Sequence, residues 1–228
     1  MVKKKFAKFL ILFFIISLFQ TKLTADTEKS IDAVELVQRS ENAYKTIMSN
    51  KELRDFEEFF KKAKAIMIFP EIYEGGLFFG AKGGNGVLLI RNNKSWSGPF
   101  FYTLGGVSFG LQAGVKSGKV IFAVMTDKGL QSIVRQRVKF GVDLDAAIAN
   151  LGIGYSAEST LQLADIYSFS DNSGLFIGSS FEGTYVQPRN DINRTFYNKN
   201  FTSDEIINSF TSSINSSALI NTLNNYKK

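Results

Sequence analysis

The 228-residue sequence contains no histidine and no cysteine. Without imidazole or thiol there can be no Ser-His-Asp triad, no cysteine nucleophile, no Cys/His zinc site and no disulfide framework. What remains is chemistry by carboxylate, amine or hydroxyl groups, or binding without chemistry. A general excess of positive charge is also missing. The chain carries 27 Lys plus Arg against 21 Asp plus Glu, but residues 1–25 hold Lys3, Lys4, Lys5, Lys8 and Lys22 and no acid. Taking those five from the 27 leaves 22 basic against 21 acidic residues, so the polycation signature of a nucleic-acid binder is absent from the rest.

What is there begins with an export signal. Lys3-Lys4-Lys5-Phe6-Ala7-Lys8 is a basic leader, and Phe9 to Phe19 is an apolar run broken only by Ser17. Polar Gln20-Thr21-Lys22 and small Thr24-Ala25 follow. An 11-residue helix rises about 16 Å, against a hydrocarbon core of roughly 30 Å, so the pattern predicts a secretory signal peptide rather than a membrane span. Cleavage is expected after Ala25, although Leu23 is bulkier than an ideal site carries. No cysteine follows to take a lipid anchor. Residues 26–228 are expected to form one exported domain, periplasmic or peripheral to a membrane facing that space, whose core must hold it without disulfides.

The periodicity of that domain predicts an α+β fold. Residues 26–50 show helical spacing at Ile31, Val34, Val37, Tyr44, Ile47 and Met48, and a second helix is expected over 51–63. Ala65 to Phe69 reads as a buried strand closed by Pro70. Leu77-Phe78-Phe79, Val87 to Ile90 and Val120 to Val124 are strand-like runs, separated by Gly83-Gly84-Asn85-Gly86, Asn92-Asn93 and Ser117-Gly118 as turns. One helix is inserted from about Asp127 to Arg137. Alternation at Val142, Leu144, Ala146 and Ile148 predicts a half-buried strand, and Ile166 to Phe169 with Leu175 to Val186 a hairpin. Thr202-Ser203-Asp204-Glu205 is a capping box, and Leu219, Ile220, Leu223 and Tyr226 mark a last helix. The expected architecture is a twisted, mostly antiparallel sheet curling toward a barrel or sandwich, with N-terminal helices and short C-terminal ones.

Gly106, Gly110, Gly114 and Gly118 recur every fourth residue. Val107, Phe109, Leu111, Ala113 and Val115 alternate with them, so period two favours one strand with a glycine face over a GxxxG helix. Such a face admits either a packed side chain or a ligand. The segment Gly80 to Gly86 matches neither phosphate-loop pattern, and turn glycines are expected there. Asp143 and Asp145 share a strand face in this reading without the other parts of a glycosidase or metal site.

The ordered blocks AKAIMIFP (63–70), GGNGVLLIR (83–91), SWSGPFFY (95–102), GGVSFGLQAG (105–114) and SFSDNSGLFIGSSFEGTYVQPRNDINRTFY (168–197) resemble the SYLF domain family. Its eukaryotic members are lipid-binding, actin-regulating membrane adaptors, and its bacterial members are mostly exported single domains. The resemblance implies phospholipid binding, of the phosphoinositide or another anionic type, with no enzymatic activity, no cofactor and no metal. Actin transfers poorly to an exported chain with no SH3 or FYVE module beside it. The first helix mixes Asp32, Glu35, Arg39, Glu41 and Lys45, so it gains little from anionic lipid.

Lipid contact is expected from Lys61, Lys62 and Lys64, from Lys82, from Arg91 and Lys94 beside the single tryptophan Trp96, and from Lys116 and Lys119. Trp96 reads either as an interfacial anchor or as a core residue. The alternative partner is an envelope protein added at an exposed sheet edge.

Overall fold

The computed structural model describes residues 28–50, 57–76, 79–93, 95–109, 114–148, 164–171 and 183–225. Helix α1 spans residues 28–48 and α2 spans Glu57–Lys62. Four long strands follow, β1 (Ala65–Gly76), β2 (Phe79–Asn92), β3 (Ser95–Phe109) and β4 (Gly114–Val124), then α3 (Asp127–Arg135). Short strands β5 (Val138–Lys139), β6 (Ala146–Ile148), β7 (Ile166–Ser170) and β8 (Tyr185–Pro188) precede α4 (Asn190–Tyr197), α5 (Ser203–Asn208), a 3-10 turn (Ile214–Ser216) and α6 (Ser217–Asn225). The strands form one curled eight-stranded sheet ordered β5-β8-β3-β2-β1-β4-β7-β6. All neighbours are antiparallel except β6 and β7. The α+β, mostly antiparallel architecture expected from the sequence is the one found.

Both faces of the central strands are buried, which is why their sequences are continuous apolar runs rather than alternating ones. On one face Ile66, Ile68, Val87, Leu89, Phe101, Ile121 and Ala123 pack with α1, α2 and α6. In α1, Ala33, Val37, Ser40, Tyr44 and Ile47 recur at steps of three and four and turn inward. On the opposite face Met67, Phe69, Leu88, Phe100, Val120 and Phe122 pack against Leu130, Ile133 and Val134 of α3, with Phe140 and Ile206. Each such side chain contributes on the order of 1.5–3 kcal/mol relative to exposure.

Several local expectations are overturned. Pro70 does not close a strand: β1 runs through it. Between the pairs Ile68↔Val87 and Tyr73↔Gly83, β1 advances by five residues and β2 by four, so β1 carries one extra residue, a β-bulge around Pro70 and Glu71. Proline, lacking an N–H, suits a position where the ladder is interrupted. Nor do Gly83 to Gly86 form a turn; they lie within β2. A Cβ on Gly84 would stand 2.3 Å from Glu71 O, and one on Gly86 would stand 2.5 Å from Ile68 O and 2.6 Å from the Phe69 ring. The glycines make room for the bulge and the ring above it.

The glycine face is also divided. Gly106 lies on β3, Gly114 and Gly118 lie on β4, and β2 and β1 separate them; Gly110 is outside the described residues. Ile166–Ser170 and Tyr185–Pro188 are not a hairpin, because β7 pairs with β4 and β8 pairs with β3. Asp143 belongs to a turn, accepting a hydrogen bond from Lys139 N at 2.7 Å, so it shares no strand face with Asp145. Residues 77–78 and 175–182 of the expected strands, and Tyr226, lie outside the described residues.

Gly84→Ala and Gly86→Ala should each destabilise the domain by about 1–3 kcal/mol, because the added methyl meets backbone or a buried ring. Gly83→Ala, whose Cβ would meet only Leu104 O at 3.5 Å, should be close to neutral; urea unfolding of the three variants checks this. The capping box at α5 forms as read. Glu205 N donates to Thr202 Oγ1 at 3.2 Å and Thr202 N donates to Glu205 Oε2 at 2.9 Å. Hydrogen bonds from Lys199, then from Thr202, hold the Glu205 carboxyl down at about 2. A depressed carboxyl stabilises the fold above its unfolded value and loses that contribution as pH falls. Wild type should therefore exceed Glu205→Gln in stability at pH 7, with the gap narrowing below about pH 4.5 and closing near pH 2.

A basic cleft at the far end of the sheet

The expected lipid-contact residues fall at two ends of the sheet, except Lys119, which lies level with the β1 bulge. At the end where β1 begins, most of them are engaged in structure. Lys61 pairs with Glu57 at 2.9 Å within α2, and Lys64 with Asp127 at 2.8 Å. Arg91 donates to the carbonyls of Phe60 and Ala63 at the C-terminal end of α2, so its donors serve to cap that helix. Its guanidinium lies 4.2 Å from the centre of the Trp96 ring. Trp96 itself is only 4% exposed and packs in the core with Tyr44, Phe60 and Leu223, which overturns its reading as an interfacial anchor. Lys62 is exposed at the last turn of α2, and Lys119 pairs with Asp171 at 2.8 Å. Lys94 lies outside the described residues.

At the opposite end Lys82 and Lys116 share one row across the sheet: Gly106 on β3, Lys82 on β2, Glu74 on β1 and Lys116 on β4 are directly opposed in register. Lys82 and Glu74 are buried, at 5% and 6% exposure, whereas Lys116 is exposed. Burial pushes the Lys82 amine below its ordinary value, and the Glu74 carboxylate partly restores it.

Lys82 opens into a cleft of about 560 Å³ whose other walls include Gly106 and Asp143, both noted in the sequence, and Arg137, Lys139 and Tyr185, which sequence reasoning did not single out. The register Lys139↔Tyr185↔Gly105 joins β5, β8 and β3 along one side. Buried Val138 and Phe140 anchor the chain on either side of Lys139, and Phe140 N donates to Thr184 O at 2.9 Å. Arg137 lays its guanidinium 3.5 Å from the centre of the Tyr185 ring, which fixes the plane of its donors. Gly105 and Gly106 admit packed neighbours, since a Cβ on Gly105 would stand 2.7 Å from the Tyr185 hydroxyl and one on Gly106 would stand 3.1 Å from Thr184, and at Gly183 the positive φ of 83° selects glycine. Asp143 is the one carboxylate among the described lining residues.

Behind Gly106 lies Thr184, fully buried, and its Oγ1 is the one buried side-chain polar atom among the described residues with no hydrogen-bond partner. An orphaned hydroxyl costs roughly 1–3 kcal/mol, so it calls for an explanation. A signal for the cations was available in the sequence: Arg135, Arg137 and Lys139 stand at alternate positions leading from α3 into a strand. Nothing local marks Thr184.

A second cleft, of about 670 Å³, lies between α1 and the sheet, and its charges cancel. Arg39 pairs with Glu71, and Lys29 and Arg189 both pair with Asp191, whose carboxyl is held well below its usual range chiefly by the Arg189 hydrogen bonds. The first cleft has three cations in its lining against Asp143 and, beside Lys82 in register, Glu74, which leaves a surplus of one positive charge.

Residues 105–226 match the family profile described as Ysc84, the Las17-binding protein actin regulator. The chain is 28% identical to Protein YSC84 of Saccharomyces cerevisiae over 152 residues, 64% of this chain and 32% of that protein. It is 27% identical to SH3 domain-containing YSC84-like protein 1 of Homo sapiens over 139 residues, 60% of this chain and 40% of that protein. The similarity to LAS seventeen-binding protein 3 of Saccharomyces cerevisiae is 27% over 152 residues, 64% of this chain and 33% of that protein. The chain thus spans between a third and two-fifths of the length of these relatives. The profile match covers more than half of the sequence and includes the β3, β5 and β8 walls of the cleft, and on that ground the chain belongs to the Ysc84 (SYLF) family.

Proposed function

We propose that this chain is a non-catalytic, peripheral phospholipid-binding domain that takes an anionic headgroup in the Lys82–Arg137–Lys139 cleft. It is exported by residues 1–25 and works in the periplasm or on a membrane facing it. The observation that carries the reading is the meeting of three cations, one of them buried, at the end of the sheet where the next row along the strands is exposed and apolar, its side chains on the opposite face from Lys82. Val107, Ala81, Gly75 and Val115 stand opposite one another in register along that row. Val107 and Val115 are 56% and 79% exposed, and Tyr73, one step inward on β1, is 52% exposed. A row of this kind enters the headgroup boundary by its apolar area, while each nearby Lys or Arg adds about 1 kcal/mol on an anionic surface.

A second reading follows from what the relatives are called. The family description and the yeast names speak of binding Las17, a protein, and of actin regulation. A protein partner on the same row would use the same apolar residues with less dependence on lipid charge.

Co-sedimentation with phosphatidylcholine and phosphatidylglycerol vesicles separates the two, using both the full chain and the chain from Asp26 onward. Binding should require the anionic lipid, fall with salt, and weaken about tenfold or more in Arg137→Ala/Lys139→Ala. Protein that stays in the supernatant under every condition would sink the lipid reading and favour a protein partner. The export step has its own check: N-terminal sequencing of the protein from the cells that make it should begin at Asp26, and a retained Met1 to Ala25 would refute cleavage.

A further inference from the structure

We propose that the second cleft, between α1 and the sheet, is a binding site for a neutral saccharide, with Tyr73 as the platform for a sugar ring and Arg39, Glu71, Asn85 and Thr103 as hydrogen-bonding partners for its hydroxyls. The inference is independent of the anion reading of the first cleft and uses none of its cations.

The floor of the cleft is a slot beside an exposed ring. Tyr73 on β1 stands directly opposite Gly83 on β2, and Asn85 on β2 stands opposite Thr103 on β3. All four line the cleft under α1. A Cβ on Gly83 would meet only Leu104 O, at 3.5 Å, so the space over Gly83 is open, and Tyr73 next to it is 52% exposed. The cleft volume of about 670 Å³ lies within the roughly 300–1,000 Å³ of small-molecule sites.

The polar groups around the slot are connected and already neutralised. Arg39 of α1 donates to the Glu71 carboxylate, which also takes a hydrogen bond from the Tyr73 hydroxyl. That chain holds the ring and the guanidinium in place and leaves further guanidinium N–H groups as donors. The exposed Asn85 amide offers both a donor and an acceptor. Thr103 Oγ1 donates to Gly84 O at 3.3 Å, which leaves its lone pairs to accept. A sugar hydroxyl, which donates and accepts at once, is the group that such a mixed set fits.

Charge and topology exclude the competing ligands. Lys29, Arg39 and Arg189 are balanced in the lining by Asp32, Glu35 and Glu71, and Asp191, shared by Lys29 and Arg189, makes four acids against three cations. A phosphate or carboxylate gains nothing in such surroundings. An extended peptide has no ladder to join, because β1, β2 and β3 each lie between two partner strands. A pyranose is apolar on its C–H faces and carries neutral hydroxyls at its edge, so it can stack on the phenol ring while its edge meets the polar groups.

The test is calorimetric titration of the full chain with the neutral trisaccharides cellotriose, maltotriose and chitotriose, and with the acidic trisaccharide trigalacturonate. At least one neutral ligand should bind with a Kd of about 0.1–1 mM, and trigalacturonate about tenfold or more weakly. Tyr73→Ala and Asn85→Ala should each weaken the neutral ligand about tenfold, whereas Tyr73→Phe, which keeps the ring, should stay within about threefold of wild type. Both positions are exposed, so the urea midpoints of these variants should match wild type; should one shift, the neutral-against-acidic comparison on the wild-type chain still decides. The assignment is overturned if none of the neutral ligands binds at millimolar concentration, if trigalacturonate binds as tightly, or if folded Tyr73→Ala or Asn85→Ala binds undiminished. The lipid reading is scored separately: Arg137→Ala/Lys139→Ala should bind the saccharide as wild type does, and Asn85→Ala should sediment with phosphatidylglycerol vesicles as wild type does. Loss of saccharide binding in Arg137→Ala/Lys139→Ala would put the sugar in the first cleft and overturn the assignment as well.

Discussion

One extra residue in β1 governs what the far end of the sheet can do. Along a regular strand successive side chains alternate between faces, and a single inserted residue reverses the assignment beyond it. Before the bulge Ile66 and Ile68 join the face covered by α1, α2 and α6, while Met67 and Phe69 join the other. After it Ile72 is on the same side as Phe69, and Tyr73 is exposed. The reversal brings Glu74 onto the face of Lys82 and Lys116, directly opposite both. Without the bulge Glu74 would face the other way and the Lys82 amine would be buried without that carboxylate in register. The glycines of β2 belong to this device, since Gly84 and Gly86 receive the displaced backbone and the Phe69 ring.

Burial on both faces has a second consequence, which is to confine open chemistry to the margins of the sheet. Helices and loops cover the middle of the long strands, and where cations occur near the α2 end they complete ion pairs or cap carbonyls. Such pairs at a surface contribute little individually, yet they leave their charges balanced. Toward the far end the apolar runs give way to glycine, small residues and the Lys82 row, and β8 meets β3, and β5 meets β8, through only a few residues each. A cleft with a surplus of cations is the product of that thinning.

Features written within a few residues of chain were legible beforehand. The capping box at Thr202, the apolar spacing of α3 and α6, and the strand character of Val87 to Ile90 and Val120 to Val124 all rest on local periodicity or local hydrogen bonding, and the structure contains them. Features that depend on what lies across the sheet were not legible. Glycine in Gly83 to Gly86 carries the same local signal whether it makes a turn or admits a neighbouring carbonyl, and only the register with β1 decides. Two strands that look like a hairpin, Ile166–Ser170 and Tyr185–Pro188, are placed near opposite edges because β4 and β3 offer them longer apolar partners. The candidate site shows the same division. Lys82 and Lys116 were named from composition, Arg137 and Lys139 were visible only as an alternation, and Thr184 acquires meaning through its contact with Gly106. Trp96, singled out for its type, is a core residue because α2 and α6 close over it.

The pairing of Lys82 with Glu74 bears on how such a cleft could be selective. A buried amine alone is driven toward its neutral form, and a neutral amine would offer an anion a poor donor. A carboxylate inside the cleft would preserve the charge but compete with the ligand for it. Glu74 lies beside Lys82 on the strand away from β3, so it opposes the effect of burial from the side that the cleft does not use. The amine is thus buried beside a counter-charge, with its stem 3.4 Å from where a Cβ on Gly106 would stand. That arrangement reduces the reorganisation that binding requires, which is how a site with few polar groups gains discrimination rather than general attraction for anions.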